Sequence, residues 1–323
     1  MSEATSTGVG PARPREGAVA ATDDGRRPPG DAAATWIPDT YRYVRLITPL
    51  PAIWLLLAIA AVAIWRHEVL DSISDYYGGP LRDVFVGTLM ASAVGMIAYK
   101  GHSKLEDYAL NFAGVNAFFV ALVSNSFPAL LDAARVAEGK PGGDPVASKQ
   151  LLENLKLATL TLLVVGVVFV LLDNLLMHWT RFSLREQTTL TGVLVVISWV
   201  AELVLLAMVA GMLLGMEVVA GRSMFSLIHF VAAALLVVNL SFAAASHGFP
   251  SSLRKPGVDA PEGSQPVQRS FRLVTLLMWG GLLVGGICIG NGAHYAVIAT
   301  EVWEIILFVV FWVVATRTEW ELK

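Results

Sequence analysis

Charge is scarce in this chain. Of 323 residues only 15% are Asp, Glu, Lys or Arg, against about 25% in soluble domains, and that excludes an ordinary soluble enzyme. Cysteine is nearly absent: Cys288 stands alone, which rules out an internal disulfide and a cysteine-based metal cluster. Set in an apolar run, it reads as a small packing residue. A net charge of -3 provides no basic field, so no nucleic-acid partner is expected. The chain has no H-E-x-x-H, no phosphate-binding glycine loop and no nucleophile elbow. The last two apolar runs hold no lysine for a retinal Schiff base. No strict alternation of apolar and polar residues occurs, which excludes a membrane β-barrel, and no internal repeat stands out.

What the chain has is apolar length: 55% of its residues are hydrophobic. Residues 1–35 are rich in Ala, Pro, Gly, Arg and Asp without apolar period, a composition that predicts a disordered cytoplasmic tail. A spanning helix needs about 20 largely apolar residues. Runs at 46–65, 81–99, 108–127, 157–177, 188–215, 223–246, 273–291 and 296–316 meet that need. The expected fold class is all-α, a polytopic transmembrane bundle of eight helices over residues 36–323, each satisfying its own backbone in lipid. Lys and Arg crowd alternate loops: Arg42 and Arg45, Lys100 and Lys104, Arg181 and Arg185, then Arg254, Lys255, Arg269 and Arg272, and finally Arg317 and Lys323. The positive-inside rule then puts both termini in the cytoplasm of a plasma-membrane protein. Trp36, Trp54, Trp65, Trp179 and Trp320 fall near span ends as interfacial anchors.

Small residues recur four apart in three runs: Gly87, Ala91 and Gly95; Ala207, Gly211 and Gly215; and the pairs Gly281/Gly285 and Gly286/Gly290. Such spacing lets helix backbones approach closely. Packing within the chain is the first reading, and an oligomer formed through these glycine-rich faces is the second.

Ionisable residues inside a span are costly and need a partner or a purpose. At 1.5 Å of rise per residue, Glu301 lies roughly 7 Å, Glu304 roughly 12 Å and His229 roughly 9 Å below the outer face. Glu202, rising from the inside, reaches roughly the same layer. Arg82 and Asp83 open the second run at the outer rim. Glu301 and Glu304 share a helix face, so one carboxyl should hold a proton or a cation should sit between them; Arg82 is the candidate cation. The preceding loop, with Asp75, Tyr76 and Tyr77, lies directly above and would serve as a lid. The candidate ligand site is therefore Asp75, Tyr76, Tyr77, Arg82, Asp83, Glu202, His229, Glu301 and Glu304. Asn111, Asn116 and Asn239 read as bridges between helices, and Asp107 and Asp173 as interfacial. His102, His178 and His247, at the cytoplasmic boundary, read as solvated. No metal or cofactor is expected.

The stretch SISDYYGGPLRDVFVGTLMASAVGMIAYKGHSKLEDYALNFAGVNAFFVALV, residues 72–123, resembles an uncharacterised family of bacterial multi-pass integral membrane proteins. Ser-x-Ser-x-Tyr-Tyr, Arg-Asp-Val-Phe-Val-Gly, the Tyr-Lys-Gly turn and a following Glu-Asp carry the resemblance, joined by the run from Ile228 and by residues 301–312. The resemblance implies an integral membrane protein without assigning an activity. More remotely, the chain is similar to the superfamily of alkaline ceramidases and adiponectin-receptor-like proteins, which hold zinc with three histidines, two of them as His-x-x-x-His. This sequence lacks that pair, and only His229 lies well inside a span, which counts against such a zinc site. Three kinds of function remain. The first is a protein that binds a small ligand, lipid or ion at an outward-facing polar site, or serves as an assembly partner. The second is a proton- or cation-coupled transporter, and the third an intramembrane hydrolase using His229 with a carboxylate.

Overall fold

The computed structural model describes residues 43–140, 144–172, 175, 187–254 and 264–321. The expected tail 1–35, Trp36, Asp173, His178, Trp179 and the side chain of Trp320 lie outside the described residues.

The described residues are almost wholly helical. Helix α1 (Leu50–Arg66) opens with Pro51 in its first turn, where a missing N–H costs nothing, and closes at His67 in the left-handed region, φ 54°. A 3₁₀ turn (Ile73–Gly78) leads into α2 (Arg82–Ala98). Helix α3 (Lys104–Leu122) is capped by Ser103, whose hydroxyl accepts from Glu106 N. Then come α4 (Phe127–Glu138), α5 (Ala147–Leu172) and α6 (Thr189–Leu213), the last capped by Thr188. A two-residue antiparallel hairpin (Val218–Val219 with Arg222–Ser223) turns the chain into α7 (Met224–Gly248). Helices α8 (Gln265–Gly290) and α9 (Ala296–Glu321) complete it.

Among the described residues seven helices are long and apolar enough to cross a membrane by length and composition. The second expected run is also a helix, α2, but has only 17 residues. The third run differs in extent. It was expected to stop before Pro128; instead the chain breaks at Val123–Ser126 and Pro128 starts α4, since proline suits a first helical turn. The expected loop 128–156 therefore contains a helix. Helix α5 begins ten residues before 157, because the Ala, Leu, Lys, Gln and Glu of that stretch are strong helix formers.

Helices α3 and α7 form the centre. Of the most apolar stretches, 56% of the one in 104–138 and 50% of that in α7 are buried, against 11% in α5. Ala93, Ala113, Ala117, Ala243 and Ala244 are almost fully buried between them and α2, so the small residues allow close approach. Glycine spacing sorts by face. A Cβ at Gly281 would meet Trp303 Cδ1 at 2.6 Å, and one at Gly285 would meet Thr300 Cγ2 at 2.7 Å, whereas Gly286 and Gly290 have nothing within 4 Å. The first pair seats α8 on α9; the second lies on the open face of α8.

Candidate functional site

At one end the 3₁₀ turn is latched from both sides. Glu301 of α9 accepts from Ser72 Oγ, at 2.8 and 3.0 Å to its two oxygens, and from Ile73 N at 2.6 Å. Ile298 N donates to Asp71 O at 2.9 Å. On the other side Ser126 Oγ donates to Asp75 Oδ1 at 2.9 Å and lies 2.8 Å from Ser74 O. Glu301 is thus held by a hydroxyl and a backbone N–H, the kind of pairing a carboxylate needs when removed from water. Tyr76 OH accepts from Leu70 N. Arg82 lies over the Tyr77 ring, 4.9 Å from its centroid, and donates to the Tyr77 hydroxyl at 3.3 Å. Asp83 is exposed in the first turn of α2.

Deeper in the bundle, Asn116 of α3 donates to Glu202 of α6, and Ser198 of α6 donates to Asn239 of α7 at 3.0 Å. These amides bridge helices as expected from their position in apolar runs. Asn111 is exposed. His229 of α7 donates through Nδ1 to Val123 O at 2.9 Å. Val123 is the C-cap of α3, so the imidazole satisfies one of the carbonyls that a helix end leaves without an intrahelical partner. The nine candidate residues therefore do not close into one network. Asp75 and Glu301 hold the turn, Arg82 stacks on Tyr77, Glu202 pairs with α3, and His229 caps a helix.

Glu304 differs from the rest. It is 6% exposed, yet neither carboxyl oxygen has a hydrogen-bond partner. In the α8–α9 seam, Trp303 Nε1 is committed to Leu277 O at 3.2 Å. Gly281 makes room for the carboxyl, since a Cβ there would collide with Glu304 Oε1. Glu304 also forms part of the wall of a cavity of about 80 Å³, between Ala52 and Leu55 of α1, Thr88 and Ser92 of α2, Ala117 of α3 and Leu240 of α7. The remaining wall is aliphatic and aromatic.

The opposite end of the bundle holds a cluster that the sequence reading missed. His247 is not solvated: its ring stacks on Phe271 at 4.5 Å between centroids. Its Nε2 lies 2.9 Å from Oε1 of the fully buried Glu106, although this short contact is too bent for a hydrogen bond. Glu106 Oε2 accepts from His102 N at 2.7 Å. Asp107, buried rather than merely interfacial, pairs with Lys100 at 2.6 Å and accepts from Gly101 N. One ligand-capable atom each from His102, Glu106 and His247 fall within 4.8 Å of one another, and two imidazoles with a carboxylate are a donor set suited to a transition ion. Two arginines compete for these rings. Arg254 NH2 stands 3.0 Å from His247 Nδ1 and Arg45 NH2 3.4 Å from His102 Nδ1. A guanidinium can only donate, so these nitrogens accept, whereas a metal-bound histidine uses its second nitrogen as a donor. The arrangement fits a proton-linked network between α3 and α7 better than a metal centre. The one local signal was Ser103-x-x-Glu106, a capping-box spacing that turns the glutamate back over the helix start.

No family model, no curated protein and no solved structure matches the chain.

Proposed function

We propose that the chain is an eight-span protein of the plasma membrane, with both termini cytoplasmic, that binds a small solute in the cavity beside Glu304. Helix α2, at 17 residues, sits at the lower limit for a span and would be the eighth. The Lys/Arg asymmetry of the loops supports the orientation. The resemblance of residues 72–123 to a bacterial multi-pass family belongs to the same proposal.

The observation that carries this reading is the pair of buried, unpartnered oxygens on Glu304. Burying a carboxyl without a partner costs several kcal/mol by the order of magnitude for polar groups in apolar surroundings. Glu301 and Glu202 have partners; Glu304 forms part of the cavity wall, and its oxygens, turned toward Gly281 of α8, have none. At roughly 12 Å along α9 from Ala296, it lies well inside the membrane. A purely structural assembly partner has no use for such a group. The same geometry favours proton- or cation-coupled transport as the second reading, since a coupling site requires a carboxyl beside a cavity at membrane depth. The hydrolase reading needs His229 beside a carboxylate, and His229 is bonded to Val123 O instead.

The test is reaction of the full chain in detergent with dicyclohexylcarbodiimide, an apolar reagent for buried carboxyls, with adducts mapped by mass spectrometry. Glu304 should label fastest, with Glu301 and Glu202 slower because their oxygens are held. Failure of Glu304 to label, or equal labelling of all three, refutes the reading.

A further inference from the structure

Three short side chains meet inside the bundle. Ala52 of α1, Ser92 of α2 and Ala117 of α3 end close to their backbones, and the cavity of about 80 Å³ lies in the space they leave. Leu55, Met96, Leu240 and Phe308 close it with aliphatic and aromatic carbon. Glu304 meets it through carbon, because both carboxyl oxygens are enclosed and Oε1 is turned toward Gly281. The Thr88 hydroxyl spends its hydrogen on Val84 O at 2.7 Å or Phe85 O at 3.1 Å. The hydroxyl of Ser92, a residue 7% exposed, is the remaining polar group of the wall.

Such a wall restricts what it can hold. A buried water needs about two to four polar partners, and one hydroxyl does not supply them. An ion of either sign would lose its hydration with nothing to replace it. Volume sets the other limit. Apolar cavities that take up benzene measure about 150 Å³, so 80 Å³ is too small for an aromatic ring and far too small for an acyl chain. At the roughly 30 Å³ that one water occupies in the liquid, it holds about three non-hydrogen atoms. Within a bilayer, moving from lipid into protein brings no hydrophobic gain, so affinity must come from dispersion. Atoms that line a void lack neighbours on one side, and a molecule of the right size restores them. The cavity comes nearest the protein surface at the half-buried Leu89, Leu236, Val237 and Ile305. All four are aliphatic, which suits entry of a solute already dissolved in lipid.

We infer that the cavity is a site for a small uncharged apolar molecule, a short alkane or alkene of about three carbons, taken up from the bilayer and selected by size. This rests on the reading of the cavity beside Glu304 as a ligand site and gives that site a substrate class. The occupant packs against Leu55, Leu240 and Phe308, and the carboxyl of Glu304 makes no polar contact with it.

The experiment uses xenon as probe on the full chain in detergent, read by xenon NMR saturation transfer, which separates protein-bound atoms from those dissolved in micelles. The parent should give a bound signal. Propane at about ten times its Kd should reduce that signal about tenfold, by simple occupancy, whereas n-hexane and n-propylammonium chloride should leave it unchanged. Ala52→Leu, which fills the cavity from α1, should abolish the signal. Ser92→Val, which fills part of it and removes the hydroxyl, should weaken the signal severalfold and serves if the Leu variant does not fold. A bound signal that persists unchanged in the filled variants places xenon elsewhere and overturns the inference. Displacement by n-propylammonium as effective as by propane refutes the apolar class, and equal displacement by n-hexane refutes selection by size. If Glu304 reacts with carbodiimide but no bound xenon is seen, the substrate class is wrong while the ligand-site reading stands. If xenon binds and Glu304 never labels, the part given to Glu304 falls and the substrate class stands. If neither occurs, both fall.

Discussion

Adjacent glycines in α8 should respond to the same substitution with opposite sign. At Gly285 an added methyl carbon would lie 2.7 Å from Thr300 Cγ2 and 3.0 Å from Thr300 Cβ. Carbon atoms prefer about 3.5–4.0 Å, so α8 and α9 must separate by nearly an ångström locally, or Thr300 must leave its rotamer. The second route is resisted because Thr300 Oγ1 is bonded to Ala296 O at 2.8 Å and a β-branched side chain is stiff at χ1. Overpacking of this kind costs about 1–3 kcal/mol. The gain from replacing a helical glycine with alanine is about 1 kcal/mol. Gly285→Ala should therefore be net destabilising, by up to about 2 kcal/mol after subtracting the propensity gain. At Gly286 nothing lies within 4 Å of the added carbon, so only the gain remains. Thermal unfolding in one detergent, followed by loss of the monodisperse peak on size exclusion, would read both. Thr300→Ala should rescue Gly285→Ala, with a coupling energy of about 1 kcal/mol or more in the double-mutant cycle, as expected for residues in contact. Equal stability of Gly285→Ala and Gly286→Ala, or no rescue, would show that the α8–α9 seam is not where the structure puts it.

Two further outcomes follow from named contacts. Asn116→Leu leaves buried Glu202 without its amide donor, so it should destabilise by about 1–3 kcal/mol, the cost of an orphaned buried polar group; Asn111→Leu, at an exposed position, is the control and should stay within about 0.5 kcal/mol of the parent. In a Cys288→Ala background, single cysteines at Asp71 and at Asp144 should react with a membrane-impermeant maleimide on intact cells, while one at Ser252 should react only after permeabilisation; the reverse pattern would overturn the proposed orientation.

The sequence by itself determined where the helices lie. Apolar content is a local, additive property, so runs of about 20 residues mark spans without any knowledge of neighbours, and every one of the eight runs contains a helix. Local chemistry also fixed several ends, as with Ser103 and Thr188 at helix starts. It misplaced the end of the third run because Pro128 has two local meanings: it stops a helix that precedes it and suits the first turn of one that follows. The rise along each helix was calculable, being constant per residue. Which residues meet was not. Contact depends on the rotation of each helix about its axis and on the order of neighbours around the bundle, and neither is encoded in any one segment. Thus Glu301 and Glu304, three residues apart, divide between the 3₁₀ turn and the cavity. Arg82 finds Tyr77, and Gly285 is packed while Gly286 is open. Glu106 and His247 meet across the long stretch of chain between the start of α3 and the end of α7. Only tertiary packing decided which carboxyl was left without a partner, because a buried group is satisfied or stranded by whatever the neighbouring helices happen to present to it.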